Sequence, residues 1–155
     1  MKSSRESSSE PKRQIAVIGG SIAEEQDLVC AERVGVLLAH HGAVLLSGGR
    51  GGVMEASCRG AYTAGGIVAG IVPGSEGNAY LTVIIKTRMD HARNVILVGS
   101  ADAVIAIGGE YGTLSEIAFA LKMGIPVYGI KSWNIPGIVM CEGPDDAVHR
   151  AIYNS

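Results

Sequence analysis

From residue 14 onward, short apolar runs alternate with longer stretches in which apolar residues recur every three or four positions. Short apolar runs bounded by glycine read as buried strands, and the 3.6-residue period reads as helices packed along one side. "QIAVIGG" (14–20) is the first strand, followed by a helix over roughly 22–41. "AVLLSGG" (43–49) is the second, and its helix begins in "GGVMEASCRGAYTAG" from Gly51. "GIVAGIVP" (66–73) and "LTVIIKT" (81–87) are strands three and four, with "SEGNAY" an exposed loop between them. A helix from about 90 to 100 leads to "DAVIAIGG" (102–109), strand five. The next helix, 114–123, carries Leu114, Ile117, Ala118 and Leu121 at i, i+3, i+4 and i+7, a stripe turned to the core. "IPVYGI" is strand six, "GIVMC" a short last strand, and "GPDDAVHRAIYNS" a closing helix with Pro144 in its first turn.

Strands alternating with helices in this way imply βαβ crossovers and an α/β fold: a doubly wound, mainly parallel sheet of about six or seven strands with helices on both faces. Residues 1–13, Ser-rich and mixed in charge, read as a solvated tail, and 14–155 as one domain. The glycine clusters then fall in one place. Gly19-Gly20, Gly48-Gly49-Gly51-Gly52, Gly74 and Gly108-Gly109 all sit at carboxyl ends of strands. In open α/β sheets that edge is where ligands bind.

Composition sharpens this. The residues are 47% hydrophobic but only 5% aromatic, with 22 glycines, so the apolar mass is small and aliphatic, as in a sheet buried on both faces. Mean hydropathy is +0.27, and some of that excess is expected in an interface between copies of the chain. No run approaches the ~18 apolar residues of a membrane span. Cys30, Cys58 and Cys141 are an odd number without CxxC spacing, which fits buried thiols in a reducing cytosol. Without residues 1–13 the chain holds 9 basic and 13 acidic residues, a net −4. Such a core has no general field for nucleic acid, so any anion site is local.

Several candidate sites lie on the glycine edge. "LLSGGRGGVME" sets Ser47, Gly48, Gly49, Arg50, Gly51 and Gly52 directly before a helix. Glycines allow close backbone approach, free helix-start amides attract an anion, and Arg50 adds a fork-shaped contact. The alternative is a plain tight turn, which rarely needs four glycines. Neither GxxxxGK[ST] nor GxGxxG fits, which argues against a P-loop protein and a nicotinamide or flavin dehydrogenase. Gly19, Gly20 and Ser21 close the first strand. "SIAE" there also reads as a capping box, with Ser21 as N-cap and Glu24 at N3.

In "GGEYGTLSE", Gly108, Gly109, Glu110, Tyr111, Gly112 and Thr113 form a loop that could hold a phosphate at the following helix start. Thr113 and Glu116 also make a T-x-x-E capping box, and local physics favours that role for Glu116. Glu110 would repel an anion unless it points away. In "TRMDHARNVILV", Arg88 and Arg93 flank the turn after strand four. An arginine near the positive end of a helix is unfavourable, so Arg93 calls for a partner, either a ligand anion or a carboxylate such as Glu116. His40, His41, His91 and His149 lack metal-ligand spacing, and no metal site is expected. No GxSxG elbow and no Schiff-base lysine context is present.

"SGGRGGVMEA", "MDHARN" and "ADAVIAIGGEYGTLSEIAFALKMGIPV" together resemble the three signature stretches of the LONELY GUY-like superfamily, once labelled "possible lysine decarboxylase". The resemblance spans residue 14 to about 150 and implies a Rossmann-like fold. The decarboxylase label has no support in the residues, which show no pyridoxal-phosphate machinery. Enzymes of that superfamily cleave the N-glycosidic bond of cytokinin or purine riboside 5′-monophosphates, with motifs MHxRK and PGGxGTxxE. On those motifs Arg93 matches the essential arginine, Glu116 the essential glutamate, and Gly109, Gly112 and Thr113 the phosphate loop. Gly108 stands in place of proline, Glu110 in place of the second glycine, and Asn94 in place of lysine. These departures look more like the branch of molybdenum-cofactor carrier proteins, which bind the phosphorylated pterin without turnover. The resemblance therefore implies a binder of molybdenum cofactor or a nucleoside monophosphate, with a phosphoribohydrolase using Glu116 and Arg93 as the alternative. It also implies a homo-oligomer, dimer or tetramer.

Overall fold

Seven parallel strands in the order β4-β3-β2-β1-β5-β6-β7 make one sheet. In this computed structural model the described residues are 10–154, so the expected tail falls mostly outside them. The strands are β1 (Gln14–Gly19), β2 (Val44–Ser47), β3 (Ile67–Val72), β4 (Val83–Lys86), β5 (Ala103–Ile107), β6 (Val127–Ile130) and β7 (Val139–Met140). The helices are α1 (Glu25–His40), α2 (Val53–Thr63), α3 (Arg93–Gly99), α4 (Tyr111–Lys122) and α5 (Pro144–Tyr153), with a 3₁₀ turn at Asp90–Ala92. Arg13, counted above with the tail, already belongs to the fold, since its Nη2 donates to the Ala151 carbonyl at 3.0 Å.

Alternate residues of each strand feed two separate cores. Ile15 and Val17 of β1, with Ile105 and Ile107 of β5, pack under α1, α2 and α5. Ala16 and Ile18, with Val104 and Ala106, pack under α3 and α4. Burial on both sides is why these strands read as unbroken apolar runs. Strand order reverses at β1, which pairs β2 on one side and β5 on the other. Such a reversal opens a crevice at the carboxyl ends of the two strands, because successive crossovers leave in opposite directions.

Local detail departs from the periodic reading in two helices. The α4 stripe turned to the core is Thr113, Ile117 and Ala120, while Ala118 is exposed. This helix begins at Tyr111, earlier than expected, because Leu114 N donates to the Glu110 carbonyl at 3.0 Å. Likewise α1 begins at Glu25 with Glu24 as N-cap and no side-chain cap bond, so the Ser21–Glu24 box does not form. The reason is tertiary. The Gly20 carbonyl accepts from Val53 N at 3.0 Å, which commits the chain to the neighbouring glycine turn before the helix can start.

Helices α1 and α2 approach closely through two glycines. A Cβ on Gly35 would strike the Ser57 carbonyl and stand 2.8 Å from Ala61 N, and one on Gly60 would meet the Glu32 carbonyl. Backbone atoms cannot step aside as a side chain can. Gly35→Ala gains about 1 kcal/mol of helix propensity, but overpacking costs about 1–3 kcal/mol. We expect a net loss, seen as a melting temperature lower by a few degrees, and a rise would contradict the close approach.

Candidate functional site

A cavity of about 480 Å³ lies at the carboxyl ends of the strands. Its walls come from four junctions: Gly19, Gly20, Ser21 and Ile22 at the end of β1 and just beyond it; Arg50 and Met54 around the start of α2; His91, Arg93 and Asn94 before and within α3; and Glu110, Gly112, Thr113 and Glu116 from α4 and its approach. One sheet edge thus gathers residues up to about a hundred positions apart in the chain.

Arg93 is the most constrained of them. It is 7% exposed, and its Nη1 donates to the Ile71 carbonyl at 3.2 Å. Its Nε is buried with no hydrogen-bond partner. Gly48 makes room for it: a Cβ there would overlap Nη1 and lie 2.9 Å from Cζ. Burial pushes the guanidinium's pKa down, the Glu116 charge raises it, and the Arg50 charge lowers it. Arginine nevertheless keeps its proton. A buried cation with an unsatisfied donor is costly unless an anion completes it.

Glu116 shares the cavity with Arg93. With Glu110 as N-cap and no side-chain cap bond, Thr113 stands at N3 and Glu116 three residues further along. The T-x-x-E box is therefore absent, and local physics pointed the wrong way. Glu116 is instead free to line the cavity, where burial raises its pKa to about 7 and Arg93 opposes that rise. It is poised to exchange a proton near neutrality.

The other sequence candidates divide. Ser47 is fully buried and accepts from Gly49 N at 3.0 Å, bracing the turn from behind. Gly49, Gly51 and Gly52 shape that turn without lining the cavity, as does Gly48 through the space it leaves. Arg88 is exposed with φ 53° and lies outside the lining. Tyr111 is 81% exposed and stacks on Trp133 with ring centroids 5.9 Å apart. Gly108 and Gly109 line a second cavity of about 360 Å³ that shares Gly20, Ile22 and Glu110 with the first. Its further walls, among them Asp27 of α1 and Lys131 after β6, carried no sequence signal. An aspartate in a first helical turn reads as a dipole partner, and a lysine after a strand reads as solvated. Among the described residues no cluster of His, Cys, Asp and Glu could hold a metal ion.

A family model described as the SLOG cluster4 family matches residues 12–152. An uncharacterized protein of Archaeoglobus fulgidus is 48% identical over 145 residues, covering 92% of this chain and 96% of its own. The solved structure of a molybdenum cofactor binding protein from Rippkaea orientalis is similar, with a TM-score of 0.86 and 35% identity over 91% of this chain and 96% of its own. So is the molybdenum cofactor carrier protein from Chlamydomonas reinhardtii, with a TM-score of 0.83 and 28% identity over 94% of this chain and 100% of its own.

The Glu116 environment makes a prediction for stability. Its pKa rises from 4.5 to about 7 on folding, so between those values the folded state binds more protons than the unfolded chain. The stabilisation is complete below 4.5 and is lost as pH climbs through 7. Glu116→Gln should remove that dependence. At pH 8 the variant should be more stable than the parent by up to about 3 kcal/mol, and nearer to it at pH 5. Parallel melting curves of the two proteins from pH 5 to 8 would refute the assignment.

Proposed function

The chain belongs to the SLOG cluster4 family, and on that footing we propose that it binds a phosphorylated heterocycle and carries it without turnover, with molybdenum cofactor as the ligand. The single observation behind this reading is Arg93, a cation only 7% exposed that lines the glycine-walled cavity with no carboxylate paired to it among the described residues. A phosphate at the cavity face of the guanidinium would neutralise it. Arg50 at the cavity wall adds a second charge, and its side chain makes no hydrogen bond or ion pair among the described residues. The first amides of α4, at Tyr111, Gly112 and Thr113, have no intrahelical acceptor and favour an anion at the same end. Similarity to cofactor-binding and carrier proteins at 35% and 28% identity supports the choice of ligand.

One observation favours a second reading. A glutamate with a pKa near 7 beside a buried arginine is suited to stabilise a ribosyl cation or activate water, as in N-glycosidic cleavage of nucleoside 5′-monophosphates. Both readings meet in one experiment: titration with molybdopterin, and incubation with AMP and cytokinin monophosphates followed by assay of free base. We expect micromolar molybdopterin binding, weakened roughly 100-fold in Arg93→Met, and no free base. Free base whose release is abolished in Glu116→Gln would establish the hydrolase instead.

A second copy of the chain fits the uncovered apolar face. Val83 and Ile85 pair with Ala69 and Ile71 and so lie on the side of α3 and α4. They are 47% and 46% exposed, and Phe119 and Met123 of α4 are 41% and 45% exposed. An apolar edge strand left bare invites uncontrolled pairing, so a defined partner is the simpler arrangement. Light scattering should give a dimer or tetramer that Phe119→Glu weakens; a monomer at micromolar concentration would exclude it. No described helix is long and apolar enough to cross a membrane. Of the three free thiols expected to be buried, Cys58 is, while Cys30 and Cys141 are only partly so.

A further inference from the structure

The turn that carries Arg93 to the cavity is held by hydrogen bonds rather than by packing. Arg88, Met89, Asp90, His91 and Ala92 are all exposed. In the first turn of α3 the buried side chain is Arg93 itself, whereas Asn94 is half-buried and Val95 and Ile96 are exposed. The apolar anchors of that helix, Leu97 and Val98, lie in its second turn. A helix of 7 residues is thus seated in the core at its far end, and its near end depends on the turn before it.

Three consecutive carbonyls at the end of β3 and just beyond it fix that turn. Ile71 accepts from Arg93 Nη1 at 3.2 Å, and Pro73 accepts from Asp90 N at 3.1 Å. Between them, Val72 accepts from Thr87 N at 3.3 Å and from Thr87 Oγ1 at 2.7 Å. The same hydroxyl accepts from Met89 N at 3.3 Å, and the Met89 carbonyl accepts from Ala92 N at 3.0 Å. Among the described residues, Thr87 alone ties the turn down through a side chain.

The backbone so held is strained. Arg88 has φ 53° and Asp90 has φ 48°, and the other non-glycine residue with positive φ among the described residues is Lys131. Side chains crowd the backbone in the left-handed region, so a residue stays there only where its surroundings over-determine it. On an exposed turn no packing can impose that conformation, which leaves the hydrogen bonds to do so. Without the Thr87 hydroxyl, Arg88 would relax to negative φ, and the change of direction would pass along the turn to Arg93. That guanidinium tolerates little movement, since it occupies the space that Gly48 leaves by lacking a Cβ. We propose that Thr87 is the positioning residue of the Arg93 site, its hydroxyl locking the strained turn in the conformation that seats the guanidinium at the cavity wall. The ligand used to test this rests on the phosphate reading above; the positioning itself does not.

Titration of the full chain with inorganic phosphate, together with hydrogen exchange of the Arg93 Nε–H followed by NMR, tests it. Nε is buried, so its proton should exchange slowly in the parent. Thr87→Val keeps the side-chain shape and removes the hydroxyl. It should speed that exchange and weaken phosphate binding, each about tenfold, the latter equal to about 1.4 kcal/mol. Thr87→Ser should stay within about twofold of the parent in both. Arg88→Gly and Arg88→Val remove the same charge from an exposed residue outside the cavity lining, but glycine relieves the strain and a β-branched residue increases it. The valine variant should bind phosphate about fivefold more weakly than the glycine variant, and this pair carries the test should Thr87→Val fail to fold. Thr87→Val matching Thr87→Ser, or Arg88→Val matching Arg88→Gly, in both exchange and affinity overturns the positioning role. Exchange that responds as expected while no protein, the parent included, binds phosphate overturns the phosphate reading and leaves the positioning role standing.

Discussion

The guanidinium of Arg93 sets the terms for everything around it. A cation 7% exposed, with one acceptor at Ile71 and a buried Nε left over, is a large electrostatic cost inside a small fold. The neighbouring chain is arranged to admit it rather than to neutralise it fully. Gly48 vacates the space it occupies, Glu116 faces the same cavity with a pKa near 7, and Arg50 adds to the positive field. A site so arranged retains capacity for one more negative group. The proposed binding of a phosphate draws on that capacity.

The parallel sheet makes such a gathering possible. When every strand points the same way, every strand-to-helix turn emerges on one edge, and the reversal at β1 parts two of those turns into a crevice. The turns after β1, β2 and β5, with the one before α3, therefore meet although they are far apart in the chain. The same architecture leaves α3 and α4 to cover one side of seven strands. Because α3 is only 7 residues long, β4 stays exposed at the sheet edge. The groove and the bare apolar face are two results of one topology.

Two four-residue patterns, S-I-A-E and T-L-S-E, read alike as capping boxes, and neither caps a helix. A capping box forms only where the first intrahelical bond closes at the right residue, and here distant partners decide that. Val53 takes the Gly20 carbonyl in one case; Leu114 and Trp133 both donate to the Glu110 carbonyl in the other. Glu116 is thereby released from a local role and lines the cavity. The shifted α4 stripe, Thr113, Ile117 and Ala120 in place of a stripe including Ala118, follows from the same earlier start. Asp27 and Lys131 were invisible for a different reason: each is an ordinary residue for its local position, and only the crossing of α1 beneath the Gly108 turn brings them to one cavity.

Periodicity and glycine placement were enough to determine the strands, their parallel arrangement and the edge at which the glycine turns gather, because those depend on side-chain alternation and on short-range turn chemistry. Arg93 was legible as well, since a cation at a helix start is locally unfavourable and demands an explanation. The tertiary structure alone decided how deeply it is buried, which turn residues face the cavity and which brace it, and that a second cavity adjoins the first. Those outcomes depend on competition between distant hydrogen-bond partners and on space left by absent side chains. Neither quantity is carried by any one stretch of chain.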